Sequence, residues 1–111
     1  QEEQISTNKK LLAYIKYLRQ EEAINEFYGL DSTQIKVLNA IALIWCDEKE
    51  SKVGDLLELA SIASPATIHA ALKKLTKKNL IQFRQATNSR ARYAQLTELG
   101  LKRFNELAKA K

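Results

Sequence analysis

The sequence predicts a mainly helical domain with one short β-hairpin in its C-terminal third, and three observations lead there. Glycine and proline are scarce, three and one among 111 residues, which disfavours a turn-rich all-β fold. Apolar residues recur at three- and four-residue spacing through most of the chain, the period of a helix with one buried face. After Asn79 that period gives way to LIQFR and RARYAQL, with the turn residues ATNS between them after Gln85, the pattern of two strands around a turn.

A chain of 111 residues, 45% hydrophobic and 28% charged, is expected to form one domain with a modest core rather than a disordered segment. Cys46 is the only cysteine, so neither an internal disulfide nor a cysteine-based metal site is available. The sequence carries no secretory pattern and no apolar run long enough to span a bilayer, so the expectation is a cytoplasmic protein without membrane contact. Repeats, low-complexity tracts and linkers are absent.

Residues 1–28 read as an N-terminal helical segment, with helix from Ile5 to about Phe27. Ile5, Leu11, Leu12, Ile15, Leu18 and Ile24 make its apolar stripe, flanked by Tyr14 and Tyr17. Such a stripe either folds back on its own core or pairs with a second copy; a mixture is expected, with dimer contacts from the first half. Gln20-Glu21-Glu22 is either a break or a polar turn of one long helix. Gly29 suits a left-handed helix C-cap, and Asp31 with Gln34 has the form of a capping box opening the next helix. Ile35, Leu38, Ile41 or Ala42, and Trp45 supply the buried face of that helix. Cys46 beside Trp45 reads as core, since Asp47, Glu48 and Glu50 would raise rather than lower a thiol pKa.

Residues 51–79 have the outline of a helix-turn-helix. A short helix from Ser51 or Lys52 to about Leu59 has Val53, Leu56, Leu57 and Ala60 as apolar positions, and Ser61-Ile62-Ala63 forms the turn. Ser64 then caps a second helix, with Pro65 at the first helical position, where proline is tolerated. Ile68, Ala71, Leu72 and Leu75 form its buried stripe, while Ala66, Ala70, Lys73 and Lys77 lie opposite. Small residues at the front and cations at the back suit a helix entering a DNA major groove; an ordinary amphipathic helix with a solvated lysine face has the same pattern. Asn79 is a tolerable left-handed cap, and residues 80–96 form the hairpin, with Arg90 at its tip and Arg92 nearby. Residues 97–111 are the closing helix, capped by Thr97, with Glu98 in its first turn and Leu99, Leu101, Phe104, Leu107 and Ala108 as its stripe. Gly100 inside it costs about 1 kcal/mol against alanine, which points to close packing on a neighbouring backbone.

Charge is distributed unevenly. The formal net charge is +5, yet from Pro65 to Thr97 there is no Asp or Glu. That span holds seven of the 18 cations: Lys73, Lys74, Lys77, Lys78, Arg84, Arg90 and Arg92. The rest of the chain carries eleven cations against all 13 acids. A contiguous cationic segment on a helix and a hairpin is the footprint of a polyanion-binding face.

The order of elements is that of a winged helix-turn-helix, and three stretches resemble the MarR family of bacterial transcription regulators. Leu30-Asp31-Ser32-Thr33-Gln34-Ile35-Lys36-Val37-Leu38 is similar to the family's L-T-x-x-Q-x-x-V-L. Residues 64–81 resemble its recognition helix running through L-x-x-K-G-L-I, with Asn79 in place of the glycine. Asn88-Ser89-Arg90-Ala91 through Leu96-Thr97-Glu98-Leu99-Gly100 resembles D-x-R-A…L-T-E-x-G, with Asn88 where the family has Asp. Only one helix follows the hairpin, whereas family members have a longer C-terminal helical region.

The resemblance implies homodimers, built through the N- and C-terminal helices, that bind double-stranded DNA with recognition helices in successive major grooves. It implies that Thr67, His69 and Ala70 form the base-facing turn and that Arg90 reaches a minor groove. With Pro65 and Ala66 at the helix front, the expected phosphate contacts are Ser64, Lys73, Lys74, Arg84 and Arg92. His69, the single histidine, has a packed and idle reading beside the base contact, which is favoured by a small margin; with one cysteine and no glycine-rich phosphate loop, the chain has no catalytic or metal cluster and calls for no cofactor. A small-molecule effector finds no support in the sequence. The competing reading is a winged-helix module that uses the same surface for an acidic protein partner.

Overall fold

The computed structural model describes residues 2–87 and 90–110, with side chains from Asn8 onward. Helix α1 (Glu2–Phe27) runs unbroken for 26 residues, so Gln20-Glu21-Glu22 is a polar turn within it. Its middle stretch stands clear of the core: Leu11, Leu12, Tyr14, Ile15 and Leu18 are 40–65% exposed. Ile5, placed in the same stripe, lies outside the described side chains. The projecting helix gives the molecule a length of 63 Å against 25 Å in the other two directions.

Gly29, at φ 68°, turns the chain in the left-handed conformation expected of it. Asp31 then accepts the Gln34 backbone N–H at 2.8 Å and caps α2 (Ser32–Cys46). The capping box is not reciprocal, because the Gln34 side chain turns to the Asp31 carboxylate and to Lys78 instead. Helix α2 buries Gln34, Val37, Leu38 and Ile41. Here two expectations are corrected. Trp45 is 62% exposed and Cys46 is exposed as well. The last turn of α2 runs past the edge of the core, and Ile44, three residues after Ile41, keeps the packing that a four-residue step would have given Trp45.

Ser51 and Lys52 are not helical. They form β1 (Ser51–Lys52), antiparallel to a later strand, and α3 is only Val53–Leu57. Helix α4 (Pro65–Lys77) follows the turn. Strands β2 (Ile81–Gln85) and β3 (Arg92–Leu96) make the hairpin, each shifted or trimmed relative to the sequence pattern: Leu80 is a buried residue before the strand, and Arg90 and Ala91 belong to the turn. The hairpin closes with Ala86 N–H donating to the Ala91 carbonyl at 3.0 Å. The sheet order is β1-β3-β2. The core lies where α2, α3, α4 and this sheet meet, and includes Val37, Leu38, Ile41, Leu56, Ile68, Leu72, Leu75, Leu80 and Ile81.

Thr97 caps α5 (Glu98–Ala110), accepting the Gly100 N–H at 3.1 Å and donating to the Asn79 carbonyl at 2.6 Å. Gly100 is packed against backbone as expected: a Cβ there would run into the Leu80 carbonyl. The expected stripe is only half-buried and Ala108 is exposed. The most buried side chain of α5 is Arg103, at 1% exposure. It donates from Nε (3.0 Å) and Nη2 (2.6 Å) to Asn25 Oδ1, and lies 5.0 Å from the Phe104 ring. Burial lowers its pKa; the nearby Glu21 opposes the shift, as do Tyr28 and Tyr17. With Tyr28 O–H donating to the Glu106 carboxylate at 3.2 Å, this joint fastens the second half of α1 to α5. Only its place in the helical period, three residues after Gly100 and four before Leu107, marked Arg103 as an inward position.

Candidate nucleic-acid interface

Helix α4 presents its outer face because its apolar stripe is spent on the core. Ile68, Ala71, Leu72 and Leu75 are buried, and Pro65, Ala66, Thr67, Ala70, Lys73, Lys74 and Lys77 are exposed on the other side. His69 is half-buried on the flank between the two. At the N-terminal end Ser64 Oγ accepts the Thr67 N–H at 3.3 Å, and the Ser64 and Thr67 hydroxyls lie 2.9 Å apart. Both hydroxyls therefore stand at the positive end of the helix dipole, where an anionic oxygen is favoured. Lys74 and Lys77 occupy the last turn, where cations are stabilised by the same dipole.

The wing follows without a linker. Asn79 takes the left-handed conformation at φ 63°, and Leu80 N–H bonds back to the Leu75 carbonyl at 3.0 Å, so β2 starts directly from the end of α4. The register pairs Phe83 with Ala94, Arg84 with Tyr93, and Gln85 with Arg92. Paired residues share a face of a ribbon and neighbours alternate. Arg84 and Tyr93 therefore lie on the outer face, while Arg92 lies on the face that carries the buried Ala94 nearer the core. The two arginines expected at phosphates project from opposite faces. Arg84 is also ion-paired with Glu50, with its guanidinium 4.9 Å from the Tyr93 ring centre. Arg92 is exposed, with its guanidinium 4.7 Å from the Phe83 ring centre. Arg90 is exposed at the tip; Asn88 and Ser89, expected to shape that tip, lie outside the described residues.

The structure thus brings Ser64, Pro65, Ala66, Thr67, Ala70, Lys73 and Lys74 onto one helix face, joined to a hairpin that carries Arg90 and Arg92. It sets His69 to the side and gives Arg84 an internal partner. Among the described residues no group of three or more His, Cys, Asp or Glu side chains could hold a metal ion. No described helix is long and apolar enough to cross a membrane.

A short helix, a turn, a longer exposed-faced helix, a hairpin and a closing helix together define a winged helix-turn-helix domain. Solved transcriptional regulators share it. Transcriptional regulator Tm0710 from Thermotoga maritima matches with a TM-score of 0.69 at 14% identity, over 99% of this chain and 73% of that one. AbsC, a MarR family transcriptional regulator from Streptomyces coelicolor, matches with a TM-score of 0.62 at 20% identity, over 96% and 70%. ZitR, a zinc-responsive MarR family member from Lactococcus lactis, matches with a TM-score of 0.56 at 33% identity over 73% of this chain, which spans only 53% of ZitR. No protein-family model and no curated protein matches the sequence. The chain has the winged-helix fold of the MarR transcriptional regulators, the family its three motifs resemble.

Proposed function

We propose that this protein is a MarR-type transcriptional regulator that binds double-stranded DNA sequence-specifically. The observation that carries the reading is the outward face of α4, acid-free and continuous with the wing. Ala66, Thr67 and Ala70 are small enough to let the helix backbone approach base edges, with Thr67 hydrogen-bonding there. Ser64, Lys73 and Lys74 contact phosphates and set the register, and Arg92 does so from the wing. Arg90 enters a minor groove and responds to its width and potential. His69 is secondary, since it is already partly buried on the flank of the helix. Two copies would place two recognition helices on half-sites about one helical turn apart. The exposed apolar stripe of α1 supplies surface for that homodimer, and α5, joined to α1, continues it. The protein acts in the cytoplasm, where its DNA would lie.

In-vitro selection from a random duplex pool, followed by competition of the enriched duplex against a scrambled one, tests the reading. A roughly palindromic consensus that outcompetes its scramble supports it. Failure to enrich any sequence refutes it and favours a protein partner for the same surface. Within the selected duplex, Arg90→Ala is expected to weaken binding by roughly tenfold, the scale of one lost groove contact. Unchanged affinity in an electrophoretic mobility-shift titration would remove Arg90 from the interface.

A further inference from the structure

One cation of the acid-free span does not face outward. Lys78, the C-cap residue of α4, is half-buried, and its ammonium donates to two acceptors far away in sequence. One is the Gly29 carbonyl, at the turn that ends α1. The other is Gln34 Oε1, at 3.0 Å, on the first turn of α2. Gln34 is 3% exposed, and its amide N–H in turn reaches the Asp31 carboxylate that caps α2. The α1 end is itself well formed, with Leu30 N–H closing on the Asn25 carbonyl at 2.9 Å. The C-terminus of α1, which carries partial negative charge, therefore meets the ammonium of the residue that ends α4, and the cation is held by that helix end and by two hydrogen bonds. Turning Lys78 out to a phosphate would strand the buried Gln34 oxygen, the costly half of breaking a hydrogen bond.

We propose that Lys78 is a positioning residue, linking the α1–α2 junction to the end of the recognition helix so that the orientation of α1 sets the pose of α4 and the wing. The inference rests on the DNA-binding reading above. Its mechanical sense follows from the connections on either side of Lys78. On one side α1 is clamped to α5 through Asn25–Arg103 and Tyr28–Glu106. On the other, Asn79 and Leu80 lead directly into β2. A tilt of α1 moves the Gly29 carbonyl, and Lys78 carries that displacement to the hinge between recognition helix and wing.

The test compares full-length Lys78→Met with Lys77→Met, its exposed neighbour, using the selected duplex, its scramble and a salt series for each. Lys78→Met is expected to lose on the order of tenfold in affinity for the selected duplex. Its affinity for the scrambled duplex and its slope of log K on log salt should match the wild type. Lys77, exposed on the outer face of α4 beside Lys73 and Lys74, adds one more phosphate-facing cation per subunit, so Lys77→Met should weaken both duplexes and reduce the magnitude of the slope by about 0.9 per subunit. A lowered slope in Lys78→Met would make Lys78 a phosphate contact and overturn the inference. So would unchanged preference between the duplexes with only a lower unfolding midpoint, the mark of a merely structural role. Gln34→Met, which removes one acceptor while sparing the charge, should reproduce the loss of preference, and it serves as the readout if Lys78→Met does not fold. A wild-type chain that prefers no duplex overturns the DNA reading and this inference together. A wild type that prefers its duplex while both variants do so equally well overturns this inference alone.

Discussion

Alanine at Gly100 is expected to destabilise the fold severely, although alanine is the better helix former by about 1 kcal/mol. Gly100 lies in the first turn of α5, and its missing side chain leaves room for the Leu80 carbonyl. That carbonyl cannot withdraw cheaply. It accepts the Thr97 N–H at 3.1 Å, and Leu80 N–H is bonded to Leu75. A methyl group there must push apart the end of α4, the start of β2 and the cap of α5. Overpacking of this kind costs on the order of 3 kcal/mol when backbone has to move, which outweighs the gain in propensity. For a domain of this size that is a fall of roughly 10 °C in the unfolding midpoint, read by circular dichroism. An unchanged or raised midpoint would show that the junction yields easily and that Gly100 has another reason to be there.

Reversing charge on the recognition helix should have the largest effect on binding. Lys73 and Lys74 are exposed on the outer face of α4 and make no contact needed by the core. Lys73→Glu with Lys74→Glu is therefore expected to lower the unfolding midpoint by no more than roughly 5 °C, the scale of two surface substitutions, one of them at the negative end of the helix. Duplex affinity should fall by roughly a hundredfold or more, because two phosphate neutralisations per subunit become repulsions. Fluorescence anisotropy with a labelled duplex measures it. A loss under threefold would place DNA on some other face of the molecule.

Much of this architecture could be read from the chain, and the failures have local causes. The caps at Asp31, Ser64 and Thr97 and the left-handed positions at Gly29 and Asn79 are set by neighbouring atoms, so short-range chemistry predicts them. The buried stripe of α4 follows from its 3.6-residue period. Strand β1 was illegible because two residues carry no period, and its existence depends on Ala94 and Tyr93, some forty positions away. Trp45 misled because hydropathy predicts a preference for burial, not whether the core extends far enough to cover it. Arg103 went unread for the opposite reason: a charged residue enters the interior because Asn25, on another helix, supplies an acceptor. In the interface, the sequence showed where cations concentrate but not which are already engaged. Lys78 holds the α1–α2 junction, and Arg84 meets Glu50 across the sheet, so neither is as available as its place in an acid-free span suggested.

In the proposed binding mode the outer face of α4 and the tip of the wing act together as one phosphate-binding surface. A salt titration of affinity for the selected duplex measures this. Lys73, Lys74, Lys77, Arg90 and Arg92 are the five exposed cations of that surface. At about 0.9 per neutralised phosphate, they predict a slope of log K on log salt of roughly −4 to −5 per subunit. A slope near zero would contradict this binding mode, whatever the affinity.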